Sequence, residues 1–264
     1  RLNPQDVFLP VDYETYTAES RKVKRILREI SPLMEDVGID EAFLDISSIR
    51  RSSLEISQEI KSRIREETGL TCSIGVGPNK LLAKIASDMK KPDGYTRISP
   101  EDVEKVLWPL PARKLWGVGP KTEAALKSMG IERVGELASL TRDTLVAAFG
   151  KAYGTFLYEA SRGIDETLLV TFWEPKSVSR ETTFQRDVGH WQTVAKTLAG
   201  LTKEAVRVLR QGGIRSKTVT VKVRFSDFQT LTRSVSLVHG TDSEEEIRKA
   251  AFACFKRIDF RKRI

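Results

Sequence analysis

The stretch "GIDEAFLDIS", residues 38–47, places Asp40, Glu41 and Asp45 among Ile39, Phe43, Leu44 and Ile46. These apolar, strand-prone neighbours ask for burial, whereas an isolated buried carboxylate is costly without a cation or strong donors beside it. A hairpin reconciles the two demands. "MEDVGI" and "AFLDIS" read as two short strands, and Asp40 and Glu41 fall at the turn between them, where neither is bound by strict alternation. That turn has two readings: a solvated acidic turn, or one side of a metal site. Asp45, further along the second strand, reads as a hydrogen-bonding residue rather than a ligand.

Around the hairpin, helical and strand periodicities alternate. Val23, Ile26, Leu27 and Ile30 predict an amphipathic helix over roughly 15–31, and Ile56, Ile60 and Ile64 a second one ending near Gly69. "LTCSIGVG" reads as a strand running into a Gly-Pro turn, "NKLLAKIASDM" as a helix, and "KKPDG" as breaker chemistry. From 99 to 165 the signals are short helices and no strand, with "SPEDVEKVL" a good helix start. Residues 166–176 read as a connector. Beyond it the pattern predicts a strand over 177–184, a long helix through Trp191, Val194, Leu198, Leu201, Ala205 and Val208, two strands, and a helix over 243–257. The order is β-α-β-β-α, one strand short of a β-α-β-β-α-β unit. The fold class is therefore α+β and multidomain, divided as 1–98, 99–165, a linker at 166–176, and 177–264.

Charge separates the last part from the rest. Residues 176–264 hold 19 Lys+Arg against 9 Asp+Glu, a net +10, while residues 1–175 carry −2. A basic third on a near-neutral remainder points to a polyanion partner. Only two cysteines, Cys72 and Cys254, and two histidines, His190 and His239, are present, which argues against zinc and against a histidine triad. Both cysteines sit in apolar settings, as buried thiols of a reducing compartment do. No apolar run approaches the roughly 18–20 residues of a membrane span.

Three further segments carry chemistry. "SIGVGPNKLLAKIASD" sets Lys80 and the amides of a helix start where an anion can sit, without the spacing of a Walker loop; Lys84 reads as solvated. The plainer reading is an ordinary strand-to-helix turn. "LWGVGPKTEAALKSMGIERVGEL" resembles a helix-hairpin-helix, in which hairpin amides around Gly117, Val118 and Gly119, with Lys121 and Thr122, approach a DNA phosphate. The competing reading is a plain helical hairpin. The C-terminal unit offers Ser177, Ser179 and Arg180, then Thr218, Thr220, Lys222 and Arg224 on one strand and Thr230, Thr232 and Ser234 on the next. Such a face suits a phosphate backbone, or else is simply a solvated sheet surface.

Taken in order, "GIDEAFLDIS", "SIGVGPNKLLAKIASDMKKPDG", "WGVGPKTEAALKSMGI", "ASRGID" and "KSVSRETTF" resemble a Y-family DNA polymerase of the DNA polymerase IV branch, over nearly the whole chain. The resemblance implies a partial palm with a ferredoxin-like sheet over 1–98, an all-helical thumb over 99–165, and a little finger over 177–264. It implies translesion DNA synthesis with two Mg²⁺ ions, in which Asp40 and Glu41 are catalytic metal ligands and Lys80 contacts the incoming triphosphate. Primer-template DNA and deoxynucleoside triphosphates would be partners, with a sliding clamp engaged through residues outside this chain. A cytoplasmic monomer is expected. The family's opening D-x-D-x-F-F-A-x-V-E strand, its fingers and its last little-finger strand have no counterpart here, so the chain is expected to be part of a longer polymerase; Asp6 and Asp12 are not promoted to ligands. A non-catalytic DNA-binding protein using the palm as scaffold is the competing class. Another palm-type nucleotidyl transferase, such as a cyclase, is disfavoured by the helix-hairpin-helix and the basic C-terminal unit.

Overall fold

The structure, a computed structural model, describes residues 5, 7, 9–259 and 262–264; Asp6 lies outside them. The chain divides into two compact units between Trp173 and Glu174.

In the first unit, α1 (Tyr13–Ile30) starts where Asp12 caps it, accepting from the Thr15 amide at 3.0 Å. Asp12 is thus a helix cap, and the Thr15 hydroxyl and amide hold its carboxyl below the usual carboxylate range. α2 (Ser53–Thr68) opens with a Ser52–Glu55 capping box and closes at Gly69, whose φ of 72° suits a residue without Cβ. The two helices share a core in which Val23, Ile26, Leu27 and Ile30 meet Ile56, Ile60 and Ile64.

The hairpin forms as its sequence demands. β1 (Met34–Asp36) pairs antiparallel with β2 (Ala42–Leu44), Met34 opposite Leu44, leaving 37–41 as the turn. β3 (Ile74–Val76) leads into α3 (Lys80–Met89) and pairs in parallel with β4 (Tyr95–Arg97), a strand the breaker signal at "KKPDG" concealed. Among the described residues these are two separate two-stranded ladders, so the ferredoxin-like sheet is seen in two pieces. The strands are only three residues long, and each ladder is tied to a helix of its own, α1 or α3.

Gly75 lets α3 lie flat on β3: a Cβ there would stand 2.0 Å from the Ala83 carbonyl oxygen and 2.2 Å from the Ser87 amide. Both obstacles are backbone and cannot swing aside. Gly75→Ala should therefore destabilise the unit by about 3 kcal/mol, the upper end of overpacking. Thermal unfolding should show a Tm lower by roughly 6–12 °C, whereas Gly38→Ala, with nothing within 4 Å, should unfold like the parent.

The expected helix at "SPEDVEKVL" is a 3₁₀ turn, Pro100–Asp102, followed by a π turn, Val103–Leu107. The Asp102 carboxylate takes both the amide and the hydroxyl of Ser99, tightening the first turn, and the Trp108 amide reaches back to Val103 at 3.2 Å. After a 3₁₀ turn at Ala112–Lys114 come α4 (Pro120–Ser128), α5 (Val134–Ala138), α6 (Arg142–Phe149) and α7 (Lys151–Ala160). Leu81, Leu82 and Ile85 of α3 share one core with Leu107, Leu115, Leu126, Leu145 and Leu157, so packing is continuous across residue 98.

In the second unit α8 (Trp191–Gln211) and α9 (Glu244–Phe255) cover one face of an antiparallel pair, β5 (Ser216–Arg224) and β6 (Thr230–Thr241). Val221, Val223 and Phe225 are buried with Ala251 and Cys254. Residues 177–184, expected as a strand, belong to none. Val178 and Phe184 reach the cores, and Glu181 pairs with Lys222, but a cleft of about 570 Å³ separates residues 181–184 from a close fit on β5 and α8. At the far end, Val188 and Ile264 exchange backbone hydrogen bonds of 2.7 and 2.9 Å, and the Ser226 amide donates to the Arg263 carbonyl.

Candidate active site and nucleic-acid interface

The β1–β2 turn leaves Asp40 exposed and Glu41 half-buried. Glu41 Oε1 accepts from Lys84 Nζ, so the lysine expected to be solvated is instead an ion-pair partner, brought there because α3 runs past the turn. Lys84 also stands 4.0 Å from Asp88. Asp88, with Glu41 and Asp40 adding to it, raises the Lys91 ammonium above its ordinary pKa. Asp45 points elsewhere: Oδ1 accepts from the Ser47 amide at 2.8 Å, and the Ser47 hydroxyl and amide lower its pKa. Among the described residues no group of three or more His, Cys, Asp or Glu is placed to hold a metal ion. The donor set at the turn is two carboxylates, one already neutralised by an ammonium, which fits one side of a hard, oxygen-seeking cation such as Mg²⁺.

Lys80 begins α3 and is held by three neighbours. Its Nζ donates to Glu35 Oε2 and to the Leu168 carbonyl, each at 2.9 Å, and lies 5.9 Å from the centre of the Phe43 ring. Glu35 Oε2 also accepts from the Val170 amide at 2.9 Å, which docks residues 168–170 beside β1. The amides at the helix start are not all open to an incoming anion. Leu82 donates to Asn79 Oδ1, and Leu81 donates at 3.0 Å to Asp165 Oδ2, the last residue of "ASRGID". That motif thus supplies its own anion to the α3 N-terminus, and the side chain of Lys80 remains the element there suited to polyphosphate.

At the glycine-rich hairpin, Gly117 has φ 98° and Gly119 precedes α4, both exposed, with Lys121 exposed on the first turn. Val118 is buried in the core and its amide donates to Leu115, so it fixes the hairpin from within instead of facing a ligand. Tyr153 Oη donates to the Gly117 carbonyl at 2.8 Å and lies 3.1 Å from Thr122 Oγ1, which ties Thr122 inward. The segment before the hairpin is the three-residue 3₁₀ turn, so the first helix of a helix-hairpin-helix is reduced to that turn.

On the second unit, Thr218, Thr220, Lys222 and Arg224 are exposed, opposite Ser236, Ser234, Thr232 and Thr230. Cross-strand hydroxyls touch at 2.9 Å between Thr220 and Ser234, and Arg224 Nε donates to Thr230 Oγ1 at 3.1 Å. The result is one continuous hydroxyl-and-cation surface. Ser177, Ser179 and Arg180 are exposed on the segment beside it, anchored by Val178.

The profile of the impB/mucB/samB family matches residues 1–88, its C-terminal domain matches 175–264, and the DNA polymerase-iota thumb domain matches 113–165. DNA polymerase IV of Methanoculleus marisnigri is 42% identical over 252 residues, 95% of this chain and 70% of that protein. This chain belongs to the impB/mucB/samB family of Y-family DNA polymerases. DNA polymerase IV of Moorella thermoacetica is 39% identical, covering 95% of this chain and 64% of that protein, so the chain spans about two-thirds of such relatives. Among solved structures, the "Y-family DNA polymerase chimera Dbh-Dpo4(243-245)-Dbh" superposes with a TM-score of 0.85 at 24% identity, covering 98% of this chain and 76% of that one. The "Insertion ternary complex of Dbh DNA polymerase" gives 0.63 at 23% identity, with the same coverage. These two likenesses establish the fold. No described helix is long and apolar enough to cross a membrane.

Proposed function

We propose that this protein is a template-directed DNA polymerase of the translesion type, adding deoxynucleotides to a primer 3′ end by two-metal nucleotidyl transfer. In this reading residues 1–98 are palm, 99–165 thumb, 166–176 linker and 177–264 little finger. The observation that carries it is the meeting of the Asp40–Glu41 turn with Lys80 and Lys84, joined by the Glu41–Lys84 and Glu35–Lys80 ion pairs. Carboxylates for a cation and an ammonium for a polyphosphate on adjacent elements are what phosphoryl chemistry requires of a protein. Asp40 and Glu41 would hold Mg²⁺, which when bound supplies charge stabilisation to the reacting phosphate. Lys80 exchanges Glu35 and the Leu168 carbonyl for the triphosphate. Gly117, Gly119 and Lys121 face a DNA backbone, as do Ser177, Ser179, Arg180 and the exposed β5–β6 face. The partners are primer-template DNA and deoxynucleoside triphosphates, with a sliding clamp reached through residues beyond this chain, and the protein works as a cytoplasmic monomer.

A scaffold that binds DNA without catalysis is the second reading, favoured by the way Glu41 is already paired with Lys84, and Lys80 with Glu35 and the Leu168 carbonyl. Lys80→Ala separates the two. As a polymerase, the natural full-length protein with this change should need at least about tenfold more nucleotide for half-maximal incorporation, the loss of one charge-assisted contact. Its affinity for primer-template should stay within about twofold, because a single ammonium at a helix start serves polyphosphate and not a duplex. Unchanged single-nucleotide kinetics with poor duplex affinity would contradict the assignment. Duplex binding by the parent protein with no incorporation at all would favour the scaffold.

A further inference from the structure

One face of α1 grips the turn that carries Asp40 and Glu41. Lys24 is 4% exposed, and its Nζ donates to Asp36 Oδ1 at 2.6 Å, to the Gly38 carbonyl at 2.7 Å and to the Glu41 carbonyl. An ammonium has three donors, and here all three go to one turn. One helical turn earlier on the same face, the Ser20 hydroxyl donates to the Ile39 carbonyl. The turn's own backbone bonds are longer, 3.2 Å from the Val37 amide and 3.3 Å from the Gly38 amide, both to the Glu41 carbonyl. A lysine is almost never this buried unless paired, and here the pairing is with the turn alone.

The placement of these bonds is what matters. The Ile39 carbonyl belongs to the peptide plane that enters Asp40, and the Glu41 carbonyl to the plane that leaves Glu41. Fixing both planes restrains the backbone of the two residues between them, and with it the directions of their side chains. None of the three Lys24 donors is given to the Asp40 or Glu41 carboxylate, so Lys24 competes with a ligand for neither; the ammonium on the Glu41 carboxylate is that of Lys84.

We propose that Lys24, assisted by Ser20, is the positioning residue that sets the 36–41 turn and so aims the Asp40 and Glu41 carboxylates. The proposal rests on the reading of that pair as cation ligands. Lys24 is a positioning and not a catalytic residue, because its three donors are spent on the Asp36 carboxylate and the Gly38 and Glu41 carbonyls.

The test compares Lys24→Met, Lys24→Arg and Ser20→Ala in the full chain with Ile64→Val, a core change that lowers stability without touching the turn. Three quantities are read: thermal unfolding, affinity for Mn²⁺ alone by the resonance of the free ion, and amide hydrogen exchange at residues 37–41. Lys24→Met should weaken Mn²⁺ binding about tenfold and speed exchange at the turn about as much, beyond any change in Tm shared with Ile64→Val. Lys24→Arg should restore part of both, and Ser20→Ala should show the same pattern at about threefold. Should Lys24→Met fail to fold, the arginine and Ser20 variants decide alone. Parent-like Mn²⁺ affinity and exchange in the folded variants would overturn the proposal, as would effects no larger than those of Ile64→Val. If the parent itself binds no Mn²⁺, the ligand reading of Asp40 and Glu41 fails, and the exchange rates by themselves decide whether Lys24 sets the turn.

Discussion

Replacing Asp40 by alanine should lower primer extension by at least about 10²–10³-fold, the loss tied to one preorganised electrostatic contact in a reacting site. Asp40 stands exposed at the tip of the 37–41 turn, where a substitution changes stability by no more than about 0.5 kcal/mol. The turn's shape is held instead by the Gly38, Ile39 and Glu41 carbonyls and the Asp36 carboxylate. A large loss of rate with an unchanged Tm and unchanged primer-template affinity therefore isolates the cation. Glu41→Gln should cost less, because the amide oxygen keeps a ligand and Lys84 is released from its ion pair. Single-turnover extension with Mg²⁺, alongside unfolding and binding measurements, checks both. Near-normal extension by the Asp40 variant would leave the carboxylate pair as a solvated turn.

What could be read in the sequence was local conflict or local period. The hairpin was legible because carboxylates and strand formers compete within ten residues, and α1 and α2 because their isoleucines recur at helical spacing. The environments of the lysines were not legible, since they depend on contacts between distant segments. Lys84 meets Glu41 across 43 positions, and Lys80 meets Glu35 across 45 and Leu168 across 88. Lys24 left one trace, its place three residues before Leu27 on the edge of the apolar stripe. β4 was hidden because three residues after a breaker carry no period, and its parallel pairing with β3 is non-local. The strand expected at 177–184 failed for a different reason: only Val178 and Phe184, at its two ends, are partly buried, while Arg180 and Thr182 between them are exposed, and a ladder also needs a partner within hydrogen-bonding distance.

Raising salt from about 50 to 200 mM should weaken duplex binding several-hundred-fold, the slope expected when about five phosphates are neutralised. The second unit supplies the cations for this, with its net +10 over 176–264 and an exposed face on which Lys222 and Arg224 stand across from Thr232 and Thr230. Not every cation there is available. Lys222 pairs with Glu181, Lys262 with Asp227 and Lys249 with Glu245, so fewer phosphates are engaged than the charge alone suggests. Arg224→Ala should reduce the slope of log affinity against log salt by about one and weaken binding to all sequences alike. Lys222→Ala should reduce it by less, because binding by that lysine must first break its pair with Glu181. Two duplexes of unrelated sequence should bind equally well, since hydroxyls and cations on an extended sheet face reach phosphates and sugars, which carry no base identity. Fluorescence anisotropy across a salt series measures all of this. A shallow slope, or an Arg224 variant whose slope matches the parent, would remove the β5–β6 face from the DNA interface, leaving its paired threonines and serines as a surface that answers only to water.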